Sequence, residues 1–154
     1  MANASTVGFG LRTTMVVGNT PATSGQSEYK IKSGLGVGIF KNNPVSLQDS
    51  GGDQGYLQDA SFATTDDGGS GGAAYDNSGH APLIGSFNGC FFVNSTTKKP
   101  TFANSVAAST TFGTDYNTGS NDGIGFVNDN PQQEYVIKAD AAVTQAMIGD
   151  AGYN

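Results

Sequence analysis

Few residues of this chain could do nucleophilic or metal chemistry. Among 154 residues there is one histidine, His80, and one cysteine, Cys90. A catalytic Cys–His pair or Ser–His–Asp triad needs the imidazole beside the nucleophile and a carboxylate that orients it. His80 lies in a loop pattern near Asp76 and Ser78, whereas Cys90 lies inside a predicted strand. Closeness in sequence does not make triad geometry, so we predict no catalytic residue and interpret Cys90 as a small core or interface residue.

Carboxylates in glycine-rich loops are the remaining candidates for ligand chemistry. They occur at 49–53 and at Asp122 and Asp129. Calcium favours such oxygen-rich loops, but neither stretch has the twelve-residue ligand spacing that ends in Glu. Turn chemistry explains the Asp residues. The run Gly34-Leu35-Gly36-Val37-Gly38 lacks the dinucleotide-binding spacing, and no helix follows it. We expect neither a metal nor a cofactor.

Composition favours a protein whose function resides in a surface. Hydrophobic residues make up 36% of the chain and charged residues 13%, with 23 Gly, no Trp and a net charge of −6. The pairs Lys30/Lys32 and Lys98/Lys99 are too small for a nucleic-acid-binding patch. No apolar run approaches the ~20 residues that span a bilayer. We therefore expect synthesis in the cytoplasm and protein partners, with no nucleic-acid or membrane partner.

The strongest structural signal is the alternation in residues 83–93. The odd positions are apolar apart from notches at Gly85 and Gly89, which predicts a strand with one buried face and room for a bulge. Further strands are predicted over 13–17, 28–33, 34–40, 44–48, 55–60, 123–127 and 134–138, with extended structure at 100–102. The glycines of 34–40 would leave one strand face bare, so that a neighbour could approach it closely.

The two ends of the chain differ from this strand pattern. Residues 1–12 have no helical period and are predicted to form an extended arm. Residues 141–148 are predicted to form one short helix, which Asp140 caps and Gly149 ends. The predicted fold class is all-β: a single Gly-rich β-barrel or β-sandwich domain over 13–154, with the arm at 1–12 and the short C-terminal helix.

Several segments, taken in order, resemble a known family. They are Gly8-Phe9-Gly10-Leu11-Arg12, Tyr29-Lys30-Ile31-Lys32-Ser33-Gly34, Asn43-Pro44-Val45-Ser46-Leu47, Ile84-Gly85-Ser86-Phe87-Asn88-Gly89-Cys90-Phe91-Phe92, Lys99-Pro100-Thr101-Phe102 and Asn128-Asp129-Asn130-Pro131 leading to Tyr135-Val136-Ile137-Lys138-Ala139-Asp140. They are similar to small structural proteins of marine tailed bacteriophages, the cement or decoration proteins of the head. Thr13 stands where that family's Gly-Leu-Arg-Pro opening has proline.

The resemblance implies an all-β, non-enzymatic virion protein on the capsid exterior. It would be a homotrimer, seated on the major capsid protein where capsomers meet, and it would bridge neighbouring capsomers. We expect the arm to contact the capsid through Phe9, Leu11 and Arg12. We expect the trimer contact at Cys90, Phe91, Phe92, Gly36 and Gly38. The alternatives are that the arm packs back on its own body and that these interface residues are ordinary core.

Two other functions stay open at this point. One is a tail, neck or fibre component of the virion. The other is a carbohydrate-binding or hydrolytic β domain, for which exposed aromatic residues would be needed. Trp is absent, and Tyr56, Tyr75 and Tyr116 lie in separate loops.

Overall fold

A computed structural model describes residues 10–18, 20–21, 25–48, 51–60, 83–116 and 118–138. These residues are all-β apart from one 3-10 helix at Gly51–Asp53, which confirms the all-β part of the predicted fold class. The predicted helix over 141–148 and residues 1–9 of the predicted arm lie outside the described residues.

Eleven strands make up the described fold. They are β1 (Arg12–Val16), β2 (Thr20–Pro21), β3 (Ser27–Ile31), β4 (Ile39–Phe40), β5 (Pro44–Leu47), β6 (Leu57–Asp59), β7 (Leu83–Val93), β8 (Pro100–Ala103), β9 (Ser105–Val106), β10 (Gly123–Asn128) and β11 (Gln133–Val136).

The strands form three antiparallel sheets. The largest has the order β3-β10-β7-β5-β6, with β8 also paired to β7; the others are β11-β1-β2 and β4-β9. The long strand β7 organises the large sheet, because β10 lies along one side of it while β5 and β8 share the other. Seven of the predicted strands, including the 83–93 strand at its full length, are therefore found within a few residues of their predicted bounds.

A bulge divides β7 into two halves. Phe87 pairs with Val127 and Gly89 with Phe126, so Asn88 is the extra residue on β7. Gly89 has φ +146°, a conformation that a side chain would strain. The extra residue changes which side chains face the core, and this change overturns part of the prediction.

Before the bulge the odd-numbered Phe87 is buried, and after it the even-numbered Cys90 and Phe92 are buried. Phe91 lies on the opposite face, and Leu83 at the start of the strand is 49% exposed. The prediction of one odd-numbered buried face along the whole strand is therefore wrong.

The core lies on the inner face of the large sheet. Its buried members are Ile31, Ile39, Val45, Leu57, Phe87, Cys90, Phe92, Val106, Phe112 and Val127. Gly85 lets the end of β10 lie close to β7, because a Cβ at position 85 would collide with the carbonyl oxygen of Asn128 and lie 2.9 Å from its carbonyl carbon.

The predicted strand over 34–40 is wrong for its first five residues. Gly34 has φ +81°, and its N–H donates to Thr110, while the Leu35 carbonyl accepts from Ser109. This segment is therefore a loop bonded to a second loop, and β4 covers Ile39–Phe40 alone. We expected another segment to approach the glycines of 34–40 closely. This is found at Gly38, where a Cβ would lie 3.0 Å from the carbonyl oxygen of Val106 in the same chain.

The two end strands of the large sheet, β3 and β6, approach each other. Lys30 pairs with Asp122 at 3.6 Å, and Lys32 pairs with Asp53. The hydroxyl of Tyr56 donates to Asp122 at 3.1 Å. These contacts occupy both lysines of the Lys30/Lys32 pair with carboxylates of the same chain.

Candidate interaction surfaces

The thiol of Cys90 is held in its unreactive form. The residue is 1% exposed, and its Sγ lies 3.5 Å from the carbonyl oxygen of Ala103. Burial raises the pKa of the Cys90 thiol to about 11, so the thiolate needed for nucleophilic attack is scarce at neutral pH. His80 lies outside the described residues.

Three of the loop carboxylates considered for calcium, those of Asp53, Asp122 and Asp129, have partners within the described residues. Asp53 pairs with Lys32, and Asp122 pairs with Lys30. Asp129 accepts a hydrogen bond from the Tyr29 hydroxyl at 2.8 Å, and this bond raises the pKa of Tyr29. Across the described parts of the chain, no group of three His, Cys, Asp or Glu side chains is placed to hold a metal.

The last three residues of the predicted arm lie against the body. The carbonyl of Leu11 accepts a hydrogen bond from the Ser86 hydroxyl at 2.6 Å. Gly10 packs against the backbone of Asn42. A Cβ at position 10 would lie 3.1 Å from the Asn42 carbonyl carbon. Arg12 begins β1 and is exposed, and Phe9 lies outside the described residues. Of the predicted capsid-binding side chains, Arg12 is therefore open to a partner and Leu11 is half-buried.

Arg12 stands in a surface that also carries exposed apolar side chains. The register places it opposite Val136 of β11, so the two side chains share one face of the three-stranded sheet. Met15, Val17, Val136 and Ile137 are 45%, 64%, 44% and 61% exposed. We refer to the exposed residues Arg12, Met15, Val17 and Val136 as the small-sheet surface.

A second surface lies on the outer face of the large sheet and consists of Phe91, Phe102 and Phe126, which we refer to as the aromatic surface. The ring centroids of Phe91 and Phe102 are 4.8 Å apart, and those of Phe102 and Phe126 are 6.5 Å apart. Phe102 is 75% exposed. Beside it an open groove of about 240 Å³ lies over the bulge at Gly89.

The structure divides the predicted trimer-contact residues. Cys90 and Phe92 lie in the chain's own core, where Phe92 stacks on Phe112 with centroids 4.7 Å apart. Gly38 is covered by its own chain, whereas Gly36 faces open space. Phe91 is half-buried on the aromatic surface.

The sequence reasoning missed Phe102 and Phe126 as surface residues. Both residues lie in segments where exposed and buried positions alternate, and this alternation was the sequence signal that could have indicated a surface position. Alternation alone, however, does not say which of the two faces is covered.

Among the described residues, the structure contains no helix that could span a lipid bilayer. Comparison with known proteins found no matching family model, no matching curated protein and no matching solved structure.

Proposed function

We propose that this chain is a virion structural protein of a tailed bacteriophage, a cement protein that binds the assembled head and bridges neighbouring capsomers. The sequence segments that resemble head cement proteins support this proposal. The structural observation that carries it is the small-sheet surface. There, the exposed Arg12 lies opposite the exposed Val136, at the point where the segment ending in Arg12 joins the body.

The chemistry of the small-sheet surface suits a protein partner with an acidic group. A guanidinium can bind a carboxylate through two parallel hydrogen bonds. The exposed apolar side chains of this surface contribute about 25 cal/mol for each Å² removed from water. A partner that binds the assembled shell and not its free subunits stabilises the shell by mass action, and many copies multiply a modest contact.

We also propose that the large sheet is a partly closed β-barrel rather than a sandwich. The approach of β3 to β6 supports this, as do the ion pairs of Lys30 and Lys32 near that junction.

The test is cosedimentation of the full chain with heads purified from the phage that encodes it. The variant Arg12→Ala/Val136→Thr removes the charge and one apolar contact while it keeps a β-branched residue in β11. We expect its half-saturation concentration to rise at least ~10-fold, as for the loss of a central interface contact.

The matched control is Val37→Thr, which makes the same chemical change at a 57% exposed valine in the 34–38 loop. It should bind heads as the unmodified chain does. Equal binding by the double variant and the control would overturn the proposal. So would binding to purified tails in place of heads.

A further inference from the structure

The path of residues 10–12 lies on the same face of the large sheet as the groove beside the aromatic surface. Along β10, Phe126 and Asn128 are two residues apart and therefore share a face. Asn128 is paired with Ser86 of β7, so the Ser86 side chain lies on that face too. The Ser86 hydroxyl donates to the carbonyl of Leu11 at 2.6 Å. The chain therefore crosses the large sheet on the face that carries the groove.

The residue before Leu11 lies one position further along β7. Gly10 packs against the backbone of Asn42. The N–H of Asn42 in turn donates to the carbonyl of Phe87 at 2.7 Å. Ser86 and Phe87 are neighbours in β7, so the chain, followed back from Leu11, runs along β7 toward the bulge.

The groove begins where this path leads. Its lining includes Asn88 and Gly89, the two residues that follow Phe87 in β7. Consecutive Cα atoms are ~3.8 Å apart, so the side chain of Phe9 is within reach of the groove. Residues 1–8 contain no other aromatic side chain.

The groove suits a phenyl ring. Its volume is about 240 Å³ and every residue that lines it is uncharged, whereas a cavity of about 150 Å³ already holds benzene. Gly89 contributes no side chain to it, and the rings of Phe102 and Phe126 lie beside it. Aromatic rings attract each other at centroid distances of about 4.5–7 Å. Because Phe102 is 75% exposed, a ring in the groove would also remove apolar surface from water.

We propose that Phe9 of the same chain occupies this groove and packs against Phe102 and Phe126. The arm is then held to the body at three successive places: the groove, the backbone of Asn42 and the hydroxyl of Ser86. This inference does not depend on the proposed head-binding function. For Phe9, it favours the alternative that the arm packs on its own body over a contact with the capsid.

A double-mutant cycle on the full chain measures the contact between Phe9 and Phe102. We expect Phe9→Ala to raise the equilibrium constant of unfolding about 10-fold, because an aromatic pair and its buried surface are lost. In the background of Phe102→Ala, whose ring is already gone, the same substitution should raise that constant about 3-fold or less. Urea unfolding followed by circular dichroism, at two protein concentrations, gives these constants.

The matched control is Leu11→Ala, since Leu11 belongs to the arm and does not line the groove. Its effect on unfolding should be the same with and without the Phe102 ring. The proposal is overturned if Phe9→Ala leaves unfolding unchanged, or if its effect is equally large in both backgrounds, because the groove is then open to another molecule. An effect that grows with protein concentration would assign the groove to the arm of a second copy and would also overturn it.

Nuclear magnetic resonance on the unmodified chain tests the same contact without a substitution. We expect nuclear Overhauser effects between the ring protons of Phe9 and those of Phe102 or Phe126, and their absence would rule out the docking. In a mixture of isotope-labelled and unlabelled chains, effects seen only between the two kinds of molecule would contradict a contact within one chain. Head binding is a separate measurement, since its test substitutes Arg12 and Val136.

Discussion

Gly85→Ala should be among the most damaging single-methyl changes in this protein. Gly85 is buried in β7, and its Cα faces the backbone of β10. An added Cβ would collide with the Asn128 carbonyl oxygen and would lie 2.9 Å from its carbon and 3.0 Å from Cγ1 of Val127. The obstacle is backbone, which cannot rotate away as the end of a side chain can.

The cost follows from what must move. Overpacking a well-packed interior costs about 1–3 kcal/mol. The displaced Asn128 carbonyl also accepts a hydrogen bond from the Tyr135 hydroxyl at 2.8 Å, and losing that bond adds about 1 kcal/mol. The expected loss is therefore about 2–4 kcal/mol, or about 4–16 °C in Tm for a chain of this size.

Thermal and urea unfolding followed by circular dichroism measure this loss. The matched control is Gly36→Ala, because a Cβ at Gly36 meets nothing within 4 Å. The control should be neutral or stabilise by up to about 1 kcal/mol, since alanine restricts the unfolded chain. If the free energy of unfolding of Gly85→Ala lies within about 0.5 kcal/mol of the control's, the close approach of Asn128 in β10 to Gly85 in β7 is refuted.

Three further results are expected. The Cys90 thiol, whose pKa is raised to about 11 by burial, should react with a disulfide reagent at pH 8 far more slowly in the folded chain than in denaturant; equal rates would contradict its burial. Asp59→Asn should stabilise the chain at pH 7 and lose that advantage near pH 3. Burial raises the pKa of Asp59, so ionisation of Asp59 as the pH rises above 3.8 destabilises the folded chain. The asparagine stays neutral, and its side-chain oxygen can still accept the hydrogen bond that the Asn43 side chain donates. An advantage that persists in urea unfolding at pH 3 would contradict this. Tyr135→Phe should cost about 1 kcal/mol by removing the bond to Asn128, and an unchanged urea midpoint would show that this bond contributes nothing.

The sequence predicts the strands better than it predicts their faces. Alternation over 83–93 locates β7, and the glycines indicate that a bulge is possible there. Which side chains are buried after the bulge depends on how Gly89 pairs with Phe126, about forty residues away in sequence. A period of two within one segment does not contain that information.

Glycine alternation misled the prediction at 34–40. Alternating glycine and apolar residues are compatible both with a strand that has no side chains on one face and with a loop. Hydrogen bonds to Ser109 and Thr110 decide between them, and they come from a distant segment. The aromatic surface was missed for a related reason, because Phe91, Phe102 and Phe126 come from three different strands.

Electron cryomicroscopy of the phage virion tests the central claim most directly. The cement proposal predicts density for this β-fold at regular positions on the outside of the head shell, with the small-sheet surface against the shell. Density for the chain in the tail or neck, or a complete head reconstruction without it, would contradict the claim.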